Sequence, residues 1–440
     1  MRFPLTAEQA AVQASAHALA DREFRERAAR WDEREEYPWE NVKQLVEMGL
    51  MGMTVPAEYG GQGKALLDVV LAIEQVARVC GVTGRILVDS NLGPVGAIVH
   101  YGTEAQKRRY LPRVVRGDKP AIAITEPGAG SAASELETHA ERDGDAWILT
   151  GTKRWITGAG VSQTYVVLCR FDGVPGSAGI GALIVDADTP GLTVTRRERA
   201  MGMRGIPEGE VVFDRCRVPG ENLLLPAGGF KRLMSAYNGQ RLGAATVALG
   251  LAQGALEAAV QYAGEREQFG RPIGHFQGLR WMVADMALQV EAARQLVYRA
   301  AANAGHGLPD MVEAAVQYAG EREQFGRPIG HFQGLRWMVA DMALQVEAAR
   351  QLVYRAAANA GHGLPDMVEA AMAKTLASEA AVRVTNDALQ IFGASGYSRD
   401  LPLERMVRDA RMFTIGGGTV QMMRNLVAGA WLGRPEEPGL

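Results

Sequence analysis

Cysteine is scarce in this chain. Three of 440 residues, Cys80, Cys169 and Cys216, lie far apart and in no Cys-x-x-Cys spacing. That excludes a disulfide framework and a cysteine-held zinc site, and it fits a reducing compartment. No uninterrupted apolar run reaches the roughly 18 residues a membrane span needs. The opening residues MRFPLTAEQA lack the apolar core of a secretion signal, so the expectation is a cytoplasmic protein with no membrane partner. Neither sign of charge dominates: 47 Lys and Arg face 50 Asp and Glu, a formal net charge of -3, which gives no electrostatic reason to expect nucleic acid. The histidines have no metal-ligand spacing and no metal is expected. With 47% apolar and 22% charged residues, the chain has enough apolar surface to fold, which excludes wholesale disorder.

An internal duplication is present. Residues 257–312 recur unchanged as 313–368, and the identity runs on through Glu369, Ala370 and Ala371. Solenoid repeats drift between copies because each meets a different environment. Perfect identity over one period without a third copy points instead to a recent tandem duplication or an error of assembly. One copy holds a helix end, a loop, a full helix and a helix start, so the insertion adds roughly one helical hairpin. Such a hairpin returns the chain to its starting side and lets the downstream fold survive.

The chain divides into three segments. Residues 1–120 read as helical: Thr6 is placed to cap a helix with Glu8 near capping-box distance, and Leu66 to Cys80 carries apolar residues at helical spacing. Residues 121–228 contain short β-rich runs, Ala121–Thr125, Trp147–Thr150, Tyr165–Cys169, Ile180–Val185, Leu192–Thr195 and Glu210–Phe213, separated by turn signals such as Asp143-Gly144-Asp145. Residues 229–440 return to long helical stretches. The expectation is an α+β chain: an N-terminal helical domain, a small antiparallel, barrel-like β-domain and a C-terminal helical bundle carrying the duplicated segment.

Two stretches of the middle segment suggest chemistry. Ile124-Thr125-Glu126-Pro127-Gly128-Ala129-Gly130-Ser131 reads as a strand end entering a Gly-rich loop with exposed amides and hydroxyls, a setting for phosphate or carbonyl groups. Lys153-Arg154-Trp155-Ile156-Thr157-Gly158 sets a flat aromatic beside a hydroxyl, which suits a flat ring with a polar edge. Each alone reads more simply as a tight turn or a core tryptophan. The loop is not a dinucleotide fingerprint, since it lacks the third glycine and the βαβ context.

Together, in this order, the two stretches resemble the acyl-CoA dehydrogenase family. The resemblance extends through Gly61-Gln62-Gly63, Met201-Gly202-Met203-Arg204-Gly205, Val218-Pro219-Gly220-Glu221-Asn222-Leu223, Arg266-Glu267-Gln268-Phe269-Gly270, Gln390-Ile391-Phe392-Gly393 and Gly418-Thr419-Val420-Gln421. It implies a C-terminal four-helix bundle, a homotetramer, an acyl-CoA thioester as ligand, and FAD between the β-domain and the bundle. By motif, Thr125, Trp155, Ile156 and Thr157 would face the flavin. Arg266, Phe269, Gln277, Gln390, Gly393, Thr419 and Gln421 would meet its pyrophosphate and adenosine end. Ser131, Asn238 and Arg241 would meet the thioester ligand. An arginine suits the CoA phosphates because its planar fork binds them in two places. Arg322, Phe325 and Gln333 repeat Arg266, Phe269 and Gln277. The first set is preferred, because its helix runs unbroken from Phe230.

The family's α-proton is removed by a glutamate, which most members carry just before the final Gly-Thr and a minority carry before an arginine on the first bundle helix. Here those positions are Gly417 and Gln240, and a neutral amide cannot serve as a base. This pattern, with Gly84-Arg85-Ile86, Val88-Asp89-Ser90-Asn91-Leu92-Gly93, Met234-Ser235-Ala236-Tyr237-Asn238 and Arg408-Asp409-Ala410-Arg411-Met412-Phe413, is similar to the family's 3-sulfinopropionyl-CoA desulfinases. That resemblance implies cleavage of a C–S bond with water to give propionyl-CoA and sulfite without net oxidation. Arg85 would bind the sulfinate, and Gln240 would remove the charge repulsion a glutamate would impose. Burying the anion without such a cation would be costly. Read without the resemblance, Arg85 is a surface residue at a helix start. The alternatives are a FAD-dependent desaturase of a short-chain acyl-CoA with a relocated base, or an inactive flavin- and CoA-binding protein disabled by the duplication.

Overall fold

In the computed structural model, residues 5–302, 319–360, 366–398 and 419–433 are described, with Glu404, Val407, Ala410, Arg411, Thr414 and Ile415 besides. The chain forms two compact units, Leu5–Leu251 and Ala252–Leu440.

The first unit begins with helices α1 (Ala7–Leu19), α2 (Arg25–Arg34), α3 (Trp39–Glu47), α4 (Leu66–Ala77), α5 (Gly81–Asn91), α6 (Gly93–Tyr101) and α7 (Glu104–Val115). Thr6 caps α1, but its capping-box partner is Gln9 rather than Glu8. A box needs the third helical residue, and helix α1 starts at Ala7. The apolar residues 86–99 that follow Arg85 span two helices: Leu92 is extended and Gly93 adopts a φ of 35°, where α5 hands over to α6. Arg85 therefore lies inside α5, not at a helix start. Helix α4 is buried along nearly its whole length and centres a core with Leu19, Phe24, Leu45, Ile86, Leu87 and Val247.

The middle of the unit is a sheet of β1 (Ala121–Ala123), β2 (His139–Asp143), β3 (Ala146–Thr157), β4 (Thr164–Phe171), β5 (Ile180–Asp186), β6 (Leu192–Arg197), β7 (Glu208–Pro219) and β8 (Leu223–Leu225). Its order is β6-β7-β3-β2-β4-β5-β8, with β1 on β4. The expected antiparallel sheet is in fact mixed, because β1 and β2 both pair parallel to β4. The path ends at β6 and β8, so the sheet is open. Strand β2 escapes sequence reading because its residues, HAERD, bury only Ala140 and show no alternation for a pattern to catch. One face of the sheet packs on α6 and α7 through Val166, Leu168, Ile184, Ile98 and Leu111.

Helix α8 (Phe230–Glu265) begins in the first unit and ends in the second. By length and hydropathy it would pass as a membrane span. Its glycines show what it does instead. A Cβ on Gly243 would lie 2.4 Å from Val88 Cγ1, and one on Gly250 2.6 Å from the Glu74 carbonyl oxygen. The helix thus seats against α4 and α5 at a distance only glycine allows.

The second unit holds two short hairpins, Glu267–Gln268 with Arg271–Pro272 and Glu323–Gln324 with Arg327–Pro328. These are the two copies of one sequence folded alike. It also holds α9 (Gln277–Ala302), α10 (Gln333–Ala360), α11 (Met367–Phe392) and α12 (Val420–Leu432). The four long helices form an antiparallel bundle in which the second copy, α10, is a full member. Helices α9 and α10 have identical sequences over the repeat and pack reciprocally: Arg355 pairs with Glu291, and Arg299 pairs with Glu347. The second pair is the first with the copies exchanged. Arg424 ties α12 to Asp285 of α9 at 2.5 Å and to Glu379 of α11 at 2.9 Å.

Gly250→Ala should destabilise the protein by about 1–3 kcal/mol, since the methyl meets backbone that cannot rotate away. A chemical denaturation midpoint equal to that of the parent protein would show that α8 can shift outward.

Candidate active site

The Gly-rich loop and the aromatic stretch are fastened together by a buried ion pair. Lys153, on β3, is fully buried. It donates to Glu126 Oε1 at 2.7 Å and to the Ile124 carbonyl at 3.0 Å. Glu126 in turn accepts from the backbone N–H of Glu137 at 2.6 Å and of Thr138 at 3.0 Å, holding both ends of the loop. Burial alone would raise the Glu126 carboxyl, but Lys153 and these hydrogen bonds take it below the usual carboxylate range. Burial draws the Lys153 ammonium down, and Glu126 only partly restores it. The two shifts pull in opposite senses. The second contact of the ammonium, to a carbonyl that favours the charged form, supports an intact pair.

Between Lys153 and Ile156 the β3–β7 register slips, and Trp155 takes a left-handed φ of 59°. A bulge re-aims a side chain, and a non-glycine residue with positive φ is strain that surrounding structure must hold. Here the bulge turns the Trp155 ring outward, 52% exposed. The Arg154 N–H donates to the Thr125 carbonyl at 2.8 Å, so Thr125, Trp155 and Thr157 share one rim. Ile156 points the other way, into the sheet core, leaving only its backbone for a ligand. Ser131 is exposed on the loop.

A second cluster gathers around Asp89. This aspartate is 3% exposed. Lys119 Nζ lies 2.8 Å from Oδ2 and Arg85 3.4 Å from Oδ1, and Gln240 Nε2 donates to Oδ1 at 2.7 Å. Burial would raise its pKa; Arg85, Lys119 and the Gln240 amide reverse that and hold it below the usual range. Arg85 and Gln240, 155 positions apart in the chain, are thus brought onto one anion. Each has an orphaned buried atom, since Arg85 Nε and Gln240 Oε1 find no hydrogen-bond partner among the described residues. Gln240 can enter because Gly93 lacks a side chain: a Cβ there would stand 2.2 Å from Gln240 Oε1.

Lys119 links this cluster to the aromatic rim, donating to the Thr157 carbonyl at 3.0 Å. The Thr157 hydroxyl donates to Glu208 Oε1 at 2.8 Å. Sequence reading missed Asp89, Lys119, Lys153 and Glu208 as site residues. A buried lysine paired to a buried acid leaves no local pattern, because the partners come from different elements.

On the opposite face of α8 from Gln240, Asn238 and Arg241 are exposed and joined to each other, Arg241 Nη1 donating to Asn238 Oδ1 at 2.6 Å. In the second unit, Phe269 and Phe325 are 92% and 93% exposed at matching hairpin turns with φ of 52° and 53°. The surroundings of the two copies differ. Gln277 lines a cleft with His275, Arg280, Met367 and Gly429. Both hairpins carry the same edge-on aromatic pair, Phe269 with Phe276 and Phe325 with Phe332, but the second packs at the far end of α11, where Phe332 joins Ile329 and Ile391 in one apolar cluster. Gln390 and Gly393, exposed beside Ile391, therefore neighbour the second set rather than the first. Thr419 accepts from the Met422 N–H as the cap of α12, and Gln421 is exposed. Gly417 lies outside the described residues. Among the described residues no cluster of His, Cys, Asp and Glu is arranged to hold a metal.

Family models match in order along the chain: acyl-CoA dehydrogenase N-terminal domain at residues 6–118, middle domain at 121–216, and C-terminal domain twice, at 227–316 and 308–432. The chain belongs to the acyl-CoA dehydrogenase family. It is 48% identical over 437 residues to a 3-sulfinopropanoyl-CoA desulfinase of Paraburkholderia xenovorans (strain LB400), covering 98% of both chains. Among solved structures it is similar to butyryl-CoA dehydrogenase from Megasphaera elsdenii, with 33% identity, a TM-score of 0.66, and 98% of this chain and 100% of that one covered. It is also similar to an acyl-CoA dehydrogenase complexed with FAD from Bacillus anthracis, with 26% identity, a TM-score of 0.64, and 97% and 67% covered.

Lys153→Met should cost about 3–5 kcal/mol by leaving the Glu126 carboxylate buried without its cation. Lys153→Met with Glu126→Gln should recover part of that loss in urea unfolding. The Glu126 carboxyl titrates lower folded than unfolded, so its contribution is present above its ordinary value of 4.5 and is lost as pH falls through the folded value. The single variant should show less of this acid dependence.

Proposed function

We propose that the protein is a FAD-containing acyl-CoA enzyme that cleaves 3-sulfinopropanoyl-CoA with water to propanoyl-CoA and sulfite, with no net oxidation. The observation that carries this reading is the pairing of Arg85 and Gln240 across Asp89. The Arg85 side chain is mostly buried, 22% exposed, and its buried Nε has no partner among the described residues, which leaves a donor of a planar cation to be satisfied by an anionic ligand. An amide stands where a base would be needed for desaturation, and an amide does not take a proton at neutral pH. The nearest acid to that amide, Asp89, is held ionised by two cations and is spent on them. Similarity to the 3-sulfinopropanoyl-CoA desulfinase along almost the whole chain supports the same substrate.

The residues fit FAD. The bulge exposes a Trp155 ring that would otherwise be buried, and Thr125 and Thr157 flank it with polar groups. FAD held there by Thr125, Trp155 and Thr157 would supply a flat redox-capable ring. In the second unit Arg322, Phe325, Gln390 and Gly393 would receive an adenosine and its phosphates, with Thr419 and Gln421 on the next helix start. This reading replaces the first copy, Arg266, Phe269 and Gln277, with the second, because only the second neighbours Gln390. On the substrate side, Arg85 would hold the sulfinate, Gln240 and Lys119 would keep Asp89 from turning toward it, and Ser131, Asn238 and Arg241 would meet the CoA portion. Homotetramer assembly is part of the proposal.

Free sulfite and reduction of an electron acceptor, assayed together with 3-sulfinopropanoyl-CoA, test the reaction. Sulfite without acceptor reduction is expected, and acceptor reduction without sulfite would establish desaturation instead. Arg85→Ala should lose about 100-fold or more in sulfite release with FAD content unchanged; normal release would remove Arg85 from the site. Arg322→Ala should purify with less FAD than Arg266→Ala, as read from the visible spectrum. The reverse order would restore the first copy to the role.

A further inference from the structure

Breaking a carbon–sulfur bond so that sulfur leaves oxidised deposits an electron pair on carbon, and that carbon needs a proton. Of the carboxyl groups in the region, Asp118 accepts from the Gln163 N–H and the Thr164 hydroxyl, Glu198 pairs with Arg154 and Arg196, and three others bear on the site. Glu126 is consumed by Lys153 and two backbone N–H groups. Asp89 is consumed by Lys119, Arg85 and Gln240. Glu208 differs: among the described residues it makes no ion pair, and its side chain takes one hydrogen bond, from the Thr157 hydroxyl to Oε1 at 2.8 Å. It opens β7 opposite Thr157, the last residue of β3, two residues beyond the exposed Trp155. The chain of contacts Asp89–Lys119–Thr157–Glu208 ties it to the Asp89 cluster that also holds Arg85. It is neither fully buried nor fully exposed, so a ligand can reach it.

Resting on the desulfinase reading, we propose that Glu208 is the acid that protonates the β-carbon of the substrate as the carbon–sulfur bond breaks. The balance closes without an external reductant or oxidant. The C–S pair stays with carbon while the Glu208 carboxyl proton forms the new C–H bond of propanoyl-CoA. Sulfur departs as sulfur dioxide. Water adds to it, giving hydrogen sulfite and one proton, and that proton restores Glu208. Carbon is reduced and sulfur oxidised by the same two electrons. The surroundings suit an acid poised to donate. Burial raises the Glu208 carboxyl and Asp89 adds to the rise, while the Thr157 hydrogen bond, Arg85 and Lys119 oppose it without cancelling it. Those are the charged groups acting on it, from α5 and from the segment before β1. A sulfinate on Arg85 would offset that cation and favour the protonated form further.

Glu208→Gln tests the assignment. Sulfite release should fall by about 100-fold or more, with KM within about threefold of the parent, the scale of losing a general acid. The donor acts protonated, so turnover of the parent should fall as pH rises through the Glu208 pKa, and this alkaline limb should be absent from the residual activity of Glu208→Gln. In deuterium oxide the parent should place one deuterium in the product methyl group. Glu208→Asp keeps an acid on a shorter arm and should retain a limb at a displaced position, which serves if the glutamine variant does not fold with FAD bound. Unchanged turnover and an unchanged limb in Glu208→Gln, or an undisplaced limb in Glu208→Asp, would overturn the proposal while leaving the desulfinase reading intact. If the parent itself releases no sulfite, the reading fails and the assignment falls with it.

Discussion

A carboxylate taken almost wholly out of water organises this molecule's first unit. Isolated, Asp89 would either protonate or draw water in, because an unpaired buried charge costs several kcal/mol. It is instead met from three directions: by Arg85 one turn earlier on its own helix, by Lys119 from the segment entering the sheet, and by Gln240 from α8. Each partner belongs to a different part of the chain, so satisfying one anion fixes the helical layer, the sheet and α8 in mutual register. The glycines of α8 and Gly93 are the steric condition for this meeting, since side chains there would hold Gln240 away.

The same arrangement separates the acids of the region by charge state. Asp89 and Glu126 each have a cation in contact and stay ionised. Glu208 has a hydroxyl and stays higher. Pairs of titratable groups pushed apart by their environments are how one fold assigns different work to chemically similar side chains. That difference is set by neighbours supplied from distant sequence, by Lys119 and Lys153 in particular, and not by the identities of the acids.

Sequence reading recovered what depends on order and spacing. The helix–sheet–helix division and most strands follow from apolar periodicity and turn residues. It lost what depends on meeting. Strand β2 has too few apolar residues to show alternation and is held by its neighbours. The break at Gly93 is invisible in an apolar run whose hydropathy does not change. The bulge that exposes Trp155 reads locally as three more strand residues. The two copies are identical in sequence, so the packing of the second hairpin beside Ile391 could not be read from either.

The reciprocal ion pairs of α9 and α10 carry a consequence of their own. Two helices of one sequence that exchange Glu–Arg contacts about a local twofold axis form, inside a single polypeptide, the self-complementary patch that normally joins two subunits. With both copies in one chain the contact is internal and always present, where between separate chains it would depend on concentration.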